Sequence, residues 1–197
     1  VQVGNLAGMM HRPPIVVSPY DAELFGHWWY EGPWFIDYLF RKSWFDQNVF
    51  DMTHLAEYLQ VNPTQQVCRP SQSSWGYKGF HEYWLNETNA WVYPHLHKIA
   101  ERMIYLATRE PEDLLEEKAL NQAARELLLA QSSDWAFIMR TGTMVPYAIR
   151  RTRSHVTRFN KLYEDILAGE IDSGWLEKVE EIDNIFPNIN YRVYRPL

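Results

Sequence analysis

The sequence predicts the tail of an α/β unit joined to a helical domain, mostly α in overall content. Three observations lead there. A short β-branched run, Ile15, Val16 and Val17, is bounded by prolines and followed by a segment with apolar residues at helical spacing, the order from which parallel sheets are built. From Pro94 almost to the C-terminus the apolar pattern stays helical, so no alternating strands continue a sheet. Between the two lies Ser71 to Ser74, a polar stretch of low propensity that marks a boundary.

Taken in order, Leu6 to Met10 is helix-like and leads into the Ile15–Val17 strand. Just past the carboxyl end of that strand come Asp21 and Glu23, then Phe25, Gly26, His27, Trp28 and Trp29. Acids ringed by aromatics beyond a strand end are where barrel and open α/β enzymes place their chemistry. Standing alone, Asp21 reads equally as the cap of the next turn and the tryptophans as core. Adjacent Trp28 and Trp29 cannot both face one core from a regular element, so at least one is expected at a surface or cleft. Pro33 starts a helix reaching about Ser43, its face of Trp34, Phe35, Tyr38 and Leu39 packed on the preceding strand. Thr53 is expected to cap a short helix with Leu55, Tyr58 and Leu59 inward, stopped by Asn62-Pro63. Gln66 to Cys68 reads as one more short strand.

The second part opens on a glycine-containing loop, Ser73 to Tyr93, that carries Trp75, Gly76, Gly79 and Trp84. A helix follows with Leu96, Ile99, Met103, Ile104 and Ala107 as one stripe. Pro111 is expected to start the next, with Glu112 and Asp113 in its first turn and Leu114, Leu115, Ala119, Ala123, Leu127 and Leu128 inward. After a break at Gln131 to Ser133, a long helix from Pro146 to Ala168 ends at Gly169, and a shorter one spans Trp175 to Ile182.

Composition narrows the function. A chain of 197 residues can bury a sizeable core. Its net charge of −6 argues against broad nucleic-acid binding, which needs clustered cations. Arg150, Arg151 and Arg153 form the one basic cluster and read as a solvated helix face. No apolar run approaches the roughly 18 residues of a membrane span, and nothing resembles a signal peptide. The single cysteine, Cys68, excludes an internal disulfide and a cysteine-rich zinc site, and implies a reducing, cytoplasmic setting. His95 and His97 are two apart and share no helical face, so no metal is expected, nor any cofactor. Aromatics make up 15% of the chain, with nine tryptophans; indole faces stack on sugar rings, so this suits a polysaccharide cleft as well as internal packing. A chain that starts at Val1 without methionine reads as an excerpt from a longer protein, its N-terminal part missing.

Three blocks carry a family resemblance. Asp21-Ala22-Glu23-Leu24-Phe25-Gly26-His27-Trp28 resembles the fourth signature region of glycoside hydrolase family 57, in the form typical of its α-1,4-glucan branching enzymes and their amylase-type relatives. Ser74-Trp75-Gly76 through Trp84-Leu85-Asn86 resembles the tryptophan-bearing loop of the same enzymes, with Gly76-Tyr77-Lys78-Gly79 in place of the commoner Gly-Glu-Gly-Gly. Ser132-Ser133-Asp134-Trp135, followed by Thr141-Gly142-Thr143, resembles the fifth signature region; alone, Ser-Ser-Asp is an ordinary helix N-cap. The ending, Asp183-Asn184-Ile185-Phe186-Pro187 leading into Tyr191-Arg192-Val193-Tyr194, is similar to the family's terminus.

The resemblance implies that residues 1–72 are the last strands and helices of a distorted (β/α)7 catalytic barrel. Residues 73–197 are then a C-terminal helical domain bordering the substrate cleft. It makes Asp21 the general acid/base of a retaining mechanism and His27, Trp28, Trp75, Trp84 and Asp134 substrate contacts. Such a mechanism needs a second carboxylate about 5–5.5 Å from the first. The family takes that nucleophile, a glutamate, from an earlier strand that this chain does not contain, and the N-terminal histidine-proline signature is likewise missing. The chain alone is therefore expected to be inactive. Glu23, two residues on, faces away and is expected in a salt bridge or loop hydrogen bond. For Asp21 to be protonated, Phe25, Trp28 and Trp29 are expected to give it a mostly dry niche. The implied partners are an α-glucan (amylose, amylopectin or glycogen) and the missing N-terminal part of the same enzyme. The implied role is branching in glycogen biosynthesis; α-amylase or 4-α-glucanotransferase activity, or non-catalytic glucan binding, are the alternatives.

Overall fold

The structure is a computed structural model that describes residues 2–196. Its regular elements are all helical; among the described residues the only β-type pairing is an isolated bridge between Phe25 and Trp29. The chain divides into two compact units, Val1–Pro70 and Ser71–Leu197.

The first unit holds α1 (Gln2–Ala7), a 3-10 turn (Ala22–Leu24), α2 (Gly32–Phe45) and α3 (Leu55–Val61). The strands expected at Ile15–Val17 and Gln66–Cys68 do not form, and Val16, Val17 and Val67 are exposed. A parallel strand draws its hydrogen bonds from neighbours remote in sequence, and the described residues supply none. The apolar face of α2 is not packed on a strand either: Trp34, Phe35, Tyr38 and Leu39 are exposed, as are Trp44 and Phe45. Gly32 alone among the unit's described residues is buried. The cap of α3 is one residue later than expected. His54 Nδ1 accepts from Glu57 N at 3.2 Å, while Thr53 Oγ1 donates to the Glu57 carboxylate at 2.7 Å. Leu55 and Leu59 are exposed rather than inward. Side-chain hydrogen bonds tie its two ends together: Tyr58 OH donates to Pro13 O at 3.0 Å, and Arg12 Nη1 to Thr64 O at 2.5 Å.

The second unit has a true core. It begins with a loop and 3-10 turn (Tyr77–Gly79), followed by α4 (Val92–Ala107), α5 (Leu114–Ala130), α6 (Ser133–Thr141), α7 (Val145–Ala168), α8 (Ser173–Ile182) and a closing 3-10 turn (Tyr191–Tyr194). Ile99, Met103 and Leu106 of α4, Leu120 and Leu127 of α5, Phe159 and Leu162 of α7, Leu176 of α8 and Tyr191 form one buried cluster. Leu106 takes the place expected of Ile104, which is exposed. α5 starts at Leu114, with Asp113 as its N-cap accepting from Glu116 N at 2.8 Å; Glu112 therefore precedes the helix, and Leu114 faces solvent.

α5 is the central helix and is buried on nearly every side, so its polar residues must find partners inside. Gln122 Nε2 donates to Glu126 Oε1 at 2.9 Å and to Asp183 O at 3.2 Å. Arg125 donates to Gln122, to Ile185 O at 3.0 Å and to Pro187 O at 3.3 Å. Glu126 Oε2 meets His155 Nδ1 at 2.7 Å, and burial pushes the Glu126 carboxyl above its ordinary range, against the hydrogen bonds from His155 and Gln122. Asp183 accepts from Arg158, with Arg151 Nη2 at 3.6 Å. The Asp183–Pro187 segment is thereby pinned to α5 and α7. The closing turn is held as well: Tyr191 OH donates to Arg109 O at 3.1 Å, and Arg195 Nε donates to Ala107 O, at the end of α4, at 3.0 Å.

Candidate functional site

The tryptophan loop of the second unit is shaped by a local hydrogen-bond set. Ser74 Oγ accepts from Gly76 N at 3.0 Å and donates to Phe80 O, while Gly79 N donates to Gly76 O at 2.8 Å. Gly76 is buried beneath Trp84; a Cβ there would lie 2.8 Å from the indole and 2.6 Å from Phe80 O. Only glycine lets the backbone pass so close. Lys78 stands in the left-handed region at φ 55°, ψ 21°, a conformation that costs a non-glycine residue about 1–2 kcal/mol. Lys78→Gly is accordingly expected to stabilise the second unit by up to about 1 kcal/mol. Urea unfolding followed by tryptophan fluorescence checks this; a lowered midpoint would show that the Lys78 ammonium, 5.2 Å from the Tyr77 ring, outweighs the backbone strain.

This loop brings together residues distant in sequence. The Trp75 ring centroid lies 6.1 Å from that of Trp84, 6.0 Å from Tyr83 and 5.9 Å from Phe137 of α6. Tyr83 and Phe137 are 5.3 Å apart. Trp75 is 73% exposed, so the cluster presents an open indole face on a packed aromatic base. Asn89, buried and absent from the sequence-based site, fixes the geometry. Its Nδ2 donates to Tyr83 O at 2.9 Å and to Ala136 O of α6 at 3.0 Å, and its Oδ1 accepts from Asn86 N at 2.9 Å. Glu82 and Arg140 add an ion pair at 2.5 Å between the same loop and helix. A buried side-chain amide leaves no periodic trace in sequence, which is why composition and spacing pass over Asn89.

Asp134 is exposed in the first turn of α6, one helical turn before Phe137, and its carboxylate accepts from Ser132 Oγ at 2.8 Å. Ser132 occupies the N-cap position without making a side-chain cap bond. Trp135 turns inward instead: its Nε1 donates to Leu129 O at 2.7 Å, and its ring stacks on His155 at 6.4 Å and 25°. Thus the second unit gathers Trp75, Trp84 and the helix bearing Asp134. Glu126, His155 and Asp183 also gather, their ligand-type atoms within 4.8 Å of one another. Nδ1 of His155 is engaged by Glu126 and two arginines lie on Asp183, while His155 Nε2 is buried without a hydrogen-bond partner among the described residues.

In the first unit Asp21 sits at the N-cap position of the Ala22–Leu24 turn, makes no side-chain cap bond and is exposed. Phe25 packs between Tyr20 at 5.8 Å and Trp29 at 6.1 Å, and Trp29 lies 5.0 Å from Phe35. The expected dry niche is therefore not made by these residues: the aromatics pack on one another and leave the carboxylate in solvent. Glu23 is exposed too and forms no salt bridge among the described residues. Trp28 is 66% exposed beside His27, whose ring is 6.2 Å away, while Trp29 is half-buried. Gly26, at φ 98°, accomplishes the turn by donating its N–H to Trp29 O at 2.9 Å, a conformation that L side chains rarely adopt.

Residues 95–194, about half the chain, match the family described as "1,4-alpha-glucan branching enzyme, C-terminal". The curated 1,4-alpha-glucan branching enzyme TK1436 of Thermococcus kodakarensis is 34% identical over 178 residues, 87% of this chain and 26% of that protein. The crystal structure of the alpha-amylase AmyC from Thermotoga maritima is 41% identical, with a TM-score of 0.72 over all of this chain and 36% of that one. The GH57-type branching enzyme of Pyrococcus horikoshii is 32% identical, with a TM-score of 0.78 over 99% of this chain and 37% of that one. The chain thus spans about a quarter to just over a third of the length of these relatives. It belongs to the family of 1,4-alpha-glucan branching enzyme C-terminal regions, of the GH57 type.

Proposed function

We propose that the chain works as the C-terminal part of a retaining α-glucan enzyme, specifically a 1,4-α-glucan branching enzyme. The observation that carries this is the exposed Trp75 face on its base of Tyr83, Trp84 and Phe137. A broad, rigid aromatic surface stacks on the C–H faces of sugar rings and leaves their hydroxyls to polar groups such as Asp134. Trp75, Trp84 and Asp134 hold the acceptor side of a glucan, and Asp21 with His27 and Trp28 acts at the bond being broken. Residues 73–197 are the helical domain, and residues 1–72, in which the strands of a (β/α)7 barrel do not form, are a segment that packs against the catalytic body of the enzyme. The uncovered apolar face of α2 supports this, since a unit with so little buried needs a larger body to pack against. The nucleophile glutamate comes from that body. The glucan is cleaved to a covalent glycosyl-enzyme, with Asp21 as acid, and passed to the 6-hydroxyl of an acceptor with Asp21 as base. Water in place of the acceptor gives hydrolysis, and the 41% identity to a protein described as an alpha-amylase favours that as the second reading. A cytoplasmic role in glycogen biosynthesis completes the proposal, supported by the free, exposed Cys68. No described helix is long and apolar enough to cross a membrane.

Electrophoresis of the 197-residue chain through gels with and without amylopectin tests the binding half. Retardation is expected, about tenfold weaker in Trp75→Ala, corresponding to about 1.4 kcal/mol of lost stacking, and unchanged in Asp21→Asn. Equal mobility in both gels overturns the platform.

A further inference from the structure

The three arginines that read as one solvated face separate in the structure. Arg151 turns inward, 5.8 Å from the Trp135 ring and beside Asp183. Arg150 and Arg153 instead line a groove of about 750 Å³ along α7, walled on a second side by Trp175 of α8. That volume is within the range of small-molecule sites, roughly 300–1,000 Å³.

Its charge is one-sided. Arg150, Arg153, Arg158 and Lys161 line the groove and no carboxylate does, in a chain whose net charge is −6. Arg158 is neutralised by Asp183, and Lys161 by Asp165 at 2.6 Å. Arg150 and Arg153 pair with no carboxylate among the described residues. Each guanidinium lies over a ring instead, 5.5 Å from Tyr147 and 5.6 Å from Trp91. The rings hold the two cations in place without cancelling their charge. Three residues apart on one helix, the two guanidiniums are like charges on neighbouring positions of α7. Guanidinium forks match phosphate oxygens two at a time. Ser154 and Thr157, farther along the same wall, offer hydroxyl donors, and Ile149 and Trp175 supply apolar surface.

We propose that the groove between α7 and α8 binds a small phosphate monoester, its phosphate gripped by Arg150 and Arg153 and its organic part lying against Ile149 and Trp175. The argument is independent of the glucan platform, which uses none of these residues. The phosphate ester is either a free metabolite or a substituent on a polymer, and the two are told apart by the probe.

Calorimetric titration of the chain at low ionic strength with glucose 6-phosphate, inorganic phosphate, glucose and phosphorylated amylopectin provides the test. Glucose 6-phosphate is expected to bind more tightly than inorganic phosphate, and glucose not at all. The double variant Arg150→Glu/Arg153→Glu is expected to lose at least tenfold in affinity while keeping the parent melting temperature, and Lys98→Glu, elsewhere on the unit, to lose nothing. Phosphorylated amylopectin binding above the unmodified polymer, with the excess lost in the double variant, places the ester on the polymer. Absence of binding by glucose 6-phosphate, equal binding of glucose, or affinity that survives the charge reversal overturns the proposal.

Discussion

Asp183→Ala is expected to lower the unfolding free energy of the second unit by about 3 kcal/mol, the low end of the roughly 3–5 kcal/mol for breaking a buried ion pair from one side. Asp183 is 5% exposed. Its carboxylate accepts from Arg158 and lies 3.6 Å from Arg151 Nη2 and 3.7 Å from His155 Nδ1. The low end applies because the two arginine side chains are 24% and 28% exposed, so part of their charge can be recovered by water. The Asp183 backbone is untouched by the change: its N–H still donates to Val179 O at 2.9 Å and its carbonyl still accepts from Gln122. The loss is therefore electrostatic and should be partly regained in Asp183→Ala/Arg158→Ala, which removes both ends of one pair. Urea unfolding of the two single variants and the double variant checks this. A loss below about 1 kcal/mol for Asp183→Ala would place the cluster with ordinary surface ion pairs.

That cluster also marks the limit of what the sequence discloses. The helices of the second unit are legible because each carries a 3.6-residue apolar stripe, and Gly169 closes α7 where expected. The depth of α5 is not, because a single stripe of Ala119, Ala123 and Leu127 says nothing about the helix's other faces. Gln122, Arg125 and Glu126 look like a solvated side until the Asp183–Pro187 segment, some 60 residues on, folds over them. The strands read at Ile15–Val17 and Gln66–Cys68 fail for the complementary reason. Local composition suits a strand, but its hydrogen bonds depend on neighbours that the described residues do not provide. At the site, the loop tryptophans are visible as residue types, while their contact depends on Gly76 beneath Trp84 and on Asn89 behind Tyr83. The triple arginine shows the same point in reverse: adjacency in sequence suggests one role, and helical geometry divides it between an internal ion pair and an open groove.

In the complete enzyme, Asp21→Asn is expected to reduce kcat for α-glucan transfer by at least about 100-fold, within the 10²–10⁴ range of general acid–base catalysis, with KM little changed. An amide has the shape of the carboxyl group but can neither give up nor recover the proton that the leaving and attacking oxygens require. Glu23→Gln is the control, a carboxylate two residues away that the proposal leaves out of the proton transfer. The exposure of Asp21 sharpens the expectation. General acid–base transfer to a glycosidic oxygen takes place in a site closed to water. With Phe25 committed to Tyr20 and Trp29, the groups that would enclose Asp21 on the proposed reading belong to the rest of the enzyme. It follows that the 197-residue chain should bind amylopectin yet turn over none. Full activity in Asp21→Asn, or loss in Glu23→Gln matching it, would move the proton-transfer role away from Asp21 and leave the aromatic platform as a binding surface only.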